Sequence, residues 1–213
     1  MPSDPPGSSS PTDPVDEILR TTRSVRRRID FDRPLEPRVI EECIAIASQA
    51  PTGIPAEGWR FLVLTEPAPK RALAELYRSA LATLAAARGT AIKPSQQHLA
   101  DHLEAMPALI LVCAEGRPAP DSIPLQVAFY GSVLPAAWSL MLALRARGIG
   151  ATWTTLHLLH EREAAEALGI PEDVTQTILL PVGYSLNAVM RPADRRPPAE
   201  ITYWNRWGAR AGS

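Results

Sequence analysis

Apolar residues recur every three to four positions in the first part of the chain, which predicts two early helices. Asp13 and Pro14 combine a favoured N-cap residue with proline at the first helical position, so a short helix should begin there and end near Thr22. From Pro37 to Ala50 the apolar side chains share one helix face, and Pro51 is expected to end that helix.

Short apolar runs rich in β-branched residues follow these helices and predict strands. Residues 60–65 and 108–114 have this character, as does the run 177–182. Alanine-rich helices are expected between the first two runs. A further extended segment is predicted over residues 151–155, followed by a short helix over 160–168.

The longest apolar stretch, Val127–Leu144, lies inside a predicted central helix over residues 126–147. This helix is apolar on nearly every side, so it must be covered all round, and Pro135 should kink it. Its polar and glycine interruptions, and the absence of a Lys or Arg on its N-terminal side, favour a buried helix over a membrane span.

The predicted elements run helix, helix, strand, helices, strand, long helix, strand, helix, strand, which is typical of an α+β protein. The chain has no glycine-rich dinucleotide fingerprint, so a Rossmann domain is not expected. Residues 13–213 are predicted to form one domain, and residues 1–12 a disordered leader without a secretory signal. The segment from residue 185 onward ends in an aromatic cluster, which predicts that it docks, on its own chain or on a partner subunit.

Charge and cysteine content narrow the class of partner. The 213 residues carry 22 Lys and Arg against 23 Asp and Glu, a formal net charge of -1. This balance attracts neither nucleic acid nor an anionic membrane and favours a small-molecule partner. Cys43 and Cys113 lie in apolar stretches without metal-ligand spacing, so we expect reduced core thiols, no metal and a cytoplasmic protein.

The most concentrated charge is the run Arg23–Arg28 at the end of the first helix. Arg23 and Arg27 are four residues apart, so one helical turn would aim both in the same direction. Two convergent guanidinium groups suit a phosphate, and Ser24 adds a hydroxyl donor. The alternative is a solvated basic surface, which such a run forms more often when nothing else accompanies it.

Two other segments carry groups suited to a flat ligand. In the loop 52–58, glycine and proline let the backbone approach a ligand closely, and Trp59 is either a stacking ring or a core residue. The hydroxyls and amides of residues 151–157 can donate hydrogen bonds to a polar ring edge, or they belong to an ordinary strand. His157 and His160 fit a solvent-facing or capping role better than metal binding.

The sequence contains no recognisable motif of catalytic side chains. The sequence has no catalytic triad order, phosphate-binding loop, zinc-binding helix or paired-cysteine motif. A protein whose cofactor performs the redox step needs only groups that hold and tune that cofactor.

Taken in order, five blocks resemble the nitroreductase family over about residues 15–208. Each block is weak alone, and their order is specific. The blocks are Thr21–Arg28, Ala50–Gly53 with Trp59–Phe61, Ser132–Trp138, Gly148–Leu156, and Leu180–Tyr184 with Arg191–Arg195.

The resemblance implies the nitroreductase-like α+β fold: a central mixed or antiparallel sheet flanked by helices, in an intertwined homodimer with FMN at the interface. The residues that match the family's phosphate site are Arg23, Ser24, Arg26 or Arg27, and Arg195. The alignment of this run with the family pattern is open by one residue, and Arg23 and Arg27 fit the pattern best.

By the same resemblance, the flavin ring lies between a loop and a set of backbone amides. The loop residues that would line the isoalloxazine and ribityl edge are Pro51, Thr52 and Gly53. The amides that would face flavin N5 and O4 are those of Thr154, Thr155 and Leu156. Such donors would stabilise negative charge on the reduced ring.

The activity that the resemblance implies is ping-pong hydride transfer. NADH or NADPH would reduce the flavin and leave, and a nitroaromatic, quinone or similar electrophile would take the electrons, with no side chain as obligate acid or base. Two alternatives stay open: an FMN-dependent dehydrogenase in a biosynthetic pathway, and a flavin-sequestering protein without turnover.

One departure from the family lies in the loop after Gly53. Many relatives carry Asn and Gln where this chain has Pro55 and Glu57. If Glu57 faces the flavin, its charge would lower the reduction potential and alter substrate choice, or weaken FMN binding. We expect Glu57→Gln to change the flavin midpoint potential, and an unchanged potential would contradict this interpretation.

Overall fold

The computed structural model describes residues 14–53 and 58–212. These residues fall into two units that are described separately: a main body, Arg23–Val189, and the terminal segments on either side of it. The leader and the residues Pro55 and Glu57 lie outside the described residues. The organisation of residues 13–213 as one domain stays a prediction.

The elements appear in the predicted order. The helices are α1 (Pro14–Thr21), α2 (Pro37–Ala47), α3 (Pro67–Arg88), α4 (Pro94–His102), α5 (Ile123–Arg145), α6 (Glu161–Leu168) and α7 (Pro198–Ile201). The strands are β1 (Trp59–Leu64), β2 (Ala108–Glu115), β3 (Ile149–Ala151) and β4 (Val174–Tyr184). A 3-10 turn, Leu156–His160, precedes α6.

Helix ends differ from the sequence pattern by about one turn, for local reasons. Helix α2 stops at Ala47 rather than Ala50, because the residue before Pro51 is driven out of the helical region. Helix α5 starts earlier than predicted, with Pro124 in its first turn. Gly148 adopts φ 73°, a left-handed conformation that glycine tolerates, and it separates α5 from β3 as expected.

The strands form one four-stranded antiparallel sheet in the order β1-β2-β4-β3. Alternate side chains of β2, including Ile110 and Val112, enter a core shared with α2 and α5. Leu109 and Leu111 are buried on the opposite face. On the other side of the main body, α3 packs against α4, α6 and the 3-10 turn. This layout confirms the predicted α+β fold, and of the two predicted kinds of sheet, mixed or antiparallel, it is the antiparallel one.

Helix α5 is only partly covered within one chain. Leu140 and Leu144 are fully buried in the core, whereas Ile123, Leu125 and Val127 are 75%, 58% and 66% exposed. Among the described helices, α5 alone has the length and hydropathy of a membrane span, and half of its most apolar stretch is buried in the fold. That burial is typical of a core helix, and the uncovered end leaves an apolar surface.

The terminal unit contains the aromatic cluster. The ring of Tyr203 lies 4.7 Å from that of Trp207, and the guanidinium of Arg210 lies 4.6 Å above Tyr203. Trp207 is 90% exposed in the single chain. The predicted docking of this segment stays a prediction.

Both cysteines are buried thiols without a disulfide, as expected. Burial raises the pKa of Cys113 to about 12, so this thiol stays protonated and unreactive. No cluster of metal-ligating side chains occurs within residues 14–53 and 58–212.

Candidate functional site

The arginine run is not helical, because α1 ends at Thr21 and residues 26–27 form a bend, and the predicted helical turn through Arg23 and Arg27 is wrong. The N–H of Val25 donates to the carbonyl of Ala151 at 3.0 Å, and the Thr152 hydroxyl donates to the carbonyl of Val25 at 2.8 Å. These bonds tie Val25 to another segment, so tertiary contacts override the helical pattern. The convergence of Arg23 and Arg27 from one turn is therefore lost.

The side chains of the run have different surroundings. Val25 is buried, and its neighbours Ser24 and Arg26 are half-buried. Arg27 is exposed. Neither Arg26 nor Arg27 pairs with a carboxylate among the described residues, whereas Arg28 donates to the Asn187 carbonyl at 2.9 Å. Ser24 and Arg26 are therefore the better matched donors for an anion.

A buried tyrosine contacts the threonine-rich segment. The hydroxyl oxygens of Tyr77 and Thr154 lie 3.2 Å apart. Burial raises the pKa of Tyr77, and the Thr154 hydrogen bond and then the charge of Arg26 oppose that rise. The charge of Arg26 therefore acts on the Tyr77 hydroxyl. Sequence reasoning missed Tyr77, whose signal was a lone hydroxyl-bearing ring in an alanine-rich helix.

The predicted amide donors are reduced from three to two. The N–H of Thr154 donates to the Leu179 carbonyl at 3.1 Å, so it is already used in the sheet and the expectation for this amide is wrong. Leu156 N–H makes a long 3.4 Å contact with the Thr154 hydroxyl. Thr155 is exposed, and its N–H donates to no atom of the residues that the structure describes. Thr155 and Leu156 remain available to a ligand.

The loop segment Pro51–Gly53 is exposed and anchored to α5. Gly53 N–H donates to the Ser132 hydroxyl at 2.9 Å, and that hydroxyl donates to the Ala128 carbonyl at 2.7 Å. Trp59 lies in the core, which decides between its two interpretations.

We expect Ser132→Ala to lower the free energy of unfolding by about 1 kcal/mol, because the Gly53 amide loses its acceptor. Urea unfolding measures this. Ser139→Ala on the same helix is the matched control, since no hydrogen bond of its side chain is seen, and its effect should stay within about 0.5 kcal/mol. Equal losses in both variants would contradict the anchoring role.

The two histidines after this segment differ. His157 is fully buried and neither of its ring nitrogens has a hydrogen-bond partner among the described residues, so the predicted solvent-facing or capping role is wrong for it. Burial lowers the pKa of His157 to about 4. His160 Nδ1 lies 3.6 Å from Glu163 in the first turn of α6, which agrees with a role at the helix start.

Arg195 is exposed in the terminal unit, and its part in phosphate binding stays a prediction. The same holds for the proposed influence of Pro55 and Glu57, which lie outside the described residues. The candidate residues of the main body therefore lie on three segments: the arginine run, the loop anchored to α5, and the segment that leads into the 3-10 turn.

The antiparallel sheet with α5 packed on it defines a nitroreductase-like α+β fold, and solved structures share it. A nitroreductase-like protein from Bacillus cereus matches with TM-score 0.69 and 19% identity over 94% of this chain and 100% of that one. Oxidised iodotyrosine deiodinase bound to FMN and 3-iodo-L-tyrosine matches with TM-score 0.65 and 23% identity over 89% and 97%.

The model of the nitroreductase family matches residues 19–184, and the chain belongs to that family. Among characterised relatives, iodotyrosine deiodinase of Drosophila melanogaster is 30% identical over 177 residues, 79% of this chain. That match covers 61% of the relative, so the chain spans less than two thirds of its length.

Proposed function

We propose that this protein is an FMN-dependent oxidoreductase that takes electrons from NADH or NADPH and passes them to a small electrophilic acceptor. The observation that carries the proposal is a pair of hydrogen bonds that Val25 makes with Ala151 and Thr152, which join the arginine run to the amide-bearing segment. FMN needs cationic donors at its phosphate and neutral donors at its ring edge, and these two segments together supply both kinds.

The donor set fits FMN. Ser24 and Arg26 flank the anchored Val25, and among the described residues Arg26 has no carboxylate partner and the amide of Thr155 has no acceptor. A guanidinium and a hydroxyl suit phosphate oxygens, and an unused amide suits a ring acceptor. The other proposed binding residues are Arg23, Pro51, Thr52, Gly53, Leu156 and Arg195.

The chain's own residues hold the cofactor and set its surroundings. Bound FMN supplies the two-electron redox step. The positive charge of Arg26 acts on the Tyr77 hydroxyl, and such a charge stabilises negative charge that builds up nearby. Thr155 and Leu156 offer fixed N–H dipoles, and the loop Pro51–Gly53 is held against α5 through Ser132. No proton-transferring side chain is required in this scheme.

The proposed acceptors are nitroaromatics, quinones and related electrophiles. A second candidate is reductive dehalogenation of an aromatic ring, which the 30% identity to the Drosophila deiodinase favours. In that reaction NAD(P)H and Ar–I give NAD(P)⁺, Ar–H and I⁻: hydride replaces iodide, which leaves with the electron pair of the C–I bond. Iodide release from 3-iodotyrosine, compared with reduction of a quinone, separates the two.

Steady-state kinetics of the FMN-loaded protein tests the proposal. We expect parallel double-reciprocal plots when NADPH or NADH and a quinone are varied, since the two substrates occupy one site in turn. FMN that binds but is not reduced by either nicotinamide would overturn the proposal. That result would favour a dehydrogenase, or, without any turnover, a sequestering protein.

We also propose that the protein acts as a homodimer in the cytoplasm. The uncovered apolar side chains of Ile123, Leu125 and Val127 on α5 need cover, which a second copy can provide. The buried unpaired thiols suit a reducing compartment. Sedimentation of the FMN-loaded protein tests the dimer, and a well-folded monomer that retains FMN would contradict it.

A further inference from the structure

Two glycines face each other beneath the arginine run. Gly150 of β3 pairs in register with Gly183 of β4. A Cβ on Gly150 would lie 2.9 Å from Val25 Cβ and 3.0 Å from Ile29 Cδ1. A Cβ on Gly183 would lie 2.5 Å from Ile29 Cγ2 and 3.0 Å from Pro107. Val25 and Ile29 therefore occupy a slot in the sheet that exists because both strands lack a side chain there.

The run is tied to the sheet along the whole slot. At Val25 both the N–H and the carbonyl are bonded, to Ala151 and to the Thr152 hydroxyl. Beyond Ile29, the N–H of Asp30 donates to the Tyr184 carbonyl at 2.9 Å. Neither Gly150 nor Gly183 has a positive φ. Glycine is therefore needed at these positions because a side chain would not fit, not because the backbone conformation is unusual.

We propose that the Gly150–Gly183 slot sets the position of Ser24 and Arg26 and thereby makes the protein select the phosphorylated flavin. Both glycines are positioning residues, which act through Val25 and Ile29. The inference rests on the proposed function. A methyl group on Gly150 would push Val25 away from the sheet, since real Cβ atoms essentially never approach to 2.9 Å.

That displacement should reach the phosphate donors. Ser24 and Arg26 are the direct neighbours of Val25, so they move with it, and the 3.0 Å and 2.8 Å hydrogen bonds of Val25 stretch. Hydrogen bonds weaken steeply when their distance and angle change. The donors to the ring lie on a different segment, Thr155 and Leu156, and should be less affected.

The test compares FMN with riboflavin, which lacks the phosphate. Both are titrated into the apo form of the full chain, and flavin fluorescence reports the Kd. For Gly150→Ala we expect the Kd for FMN to rise about 10- to 100-fold, as the loss of a charge-assisted hydrogen bond implies. The Kd for riboflavin should change less than about threefold. Equal weakening of both flavins, or of neither, would overturn the proposal.

Val25→Ala is the matched control. It removes side-chain atoms from the slot and leaves both backbone hydrogen bonds of Val25 in place, so it should lower stability and keep the preference for FMN. A change of preference as large as that in Gly150→Ala would mean that general loosening, not position, is responsible, and would overturn the proposal.

A second pair of variants covers the case in which Gly150→Ala does not fold. Gly183→Ala should reduce the preference for FMN, and Ile29→Ala in the same chain should restore part of it, because it removes the Cγ2 atom that the new methyl meets. No recovery in a folded double variant would overturn the proposal. If the unaltered protein binds neither flavin, the proposed function itself fails, which separates the two outcomes.

Discussion

Arg26→Gln is expected to weaken FMN binding roughly 10- to 100-fold, the cost of a lost charge-assisted hydrogen bond. Arg26 is half-buried next to the anchored Val25, and its charge acts on the buried hydroxyl of Tyr77. Arg27, its neighbour, is exposed, and its charge acts on His98 instead. Arg26 and Arg27, the two alternatives for the phosphate site, therefore have different surroundings.

Arg27→Gln is the matched control for this prediction, because it removes the same charge one residue away. Its Kd for FMN should stay within about threefold, the effect of an exposed charge. Calorimetric titration of the apo protein with FMN at fixed ionic strength measures both variants. A larger loss in Arg27→Gln than in Arg26→Gln would show that the proposed pairing of Ser24 with Arg26 is wrong.

Acidification from pH 7 to pH 4 is expected to lower the free energy of unfolding by about 3 kcal/mol through His157 alone. Burial lowers the pKa of this imidazole from 6.5 to about 4 in the folded protein. Between these values the unfolded chain binds a proton that the folded chain does not, so stability falls as pH falls. The loss should level off below pH 4.

Urea unfolding at several pH values between 7 and 4 measures this loss. In His157→Leu the contribution should disappear and the pH dependence should flatten, since leucine fills the buried space without titrating. His160→Gln, altered at the half-buried histidine of the same turn, should keep the steep dependence. An unchanged slope in His157→Leu would show that the buried imidazole is not the group responsible.

The succession of elements could be predicted from the sequence because it depends on local periodicity. Residues 108–114 lie within β2, and the run 177–182 lies within β4, which extends a few residues further at each end. The helix ends differ from the sequence pattern by about one turn because proline acts through the geometry of single residues, as Pro51 shows.

The site was harder to predict because its geometry depends on contacts between distant segments. A helical spacing linked Arg23 and Arg27, but the run is not helical, and hydrogen bonds tie Val25 to Ala151 and Thr152. Likewise, the sequence offers the amide of Thr154 as a donor, and the pairing with Leu179 that uses it is visible only in the folded sheet.

The residues that sequence reasoning missed share one property: their roles depend on what packs against them. In the sequence Ser132 is one of several small residues of an apolar helix, and its role follows only from its hydrogen bond with Gly53. Gly183 stands in an apolar strand, and nothing in that strand reveals that Ile29 lies against it. Composition and periodicity do not specify such partners.

The central claim is tested most directly by the visible spectrum of the purified, FMN-loaded protein before and after anaerobic addition of NADPH or NADH. The account predicts a bound flavin spectrum that bleaches on addition of one or both nicotinamides and returns when a quinone is added. A bound flavin that stays oxidised would contradict the proposed reductase. A protein that stays colourless after incubation with FMN would contradict the cofactor itself.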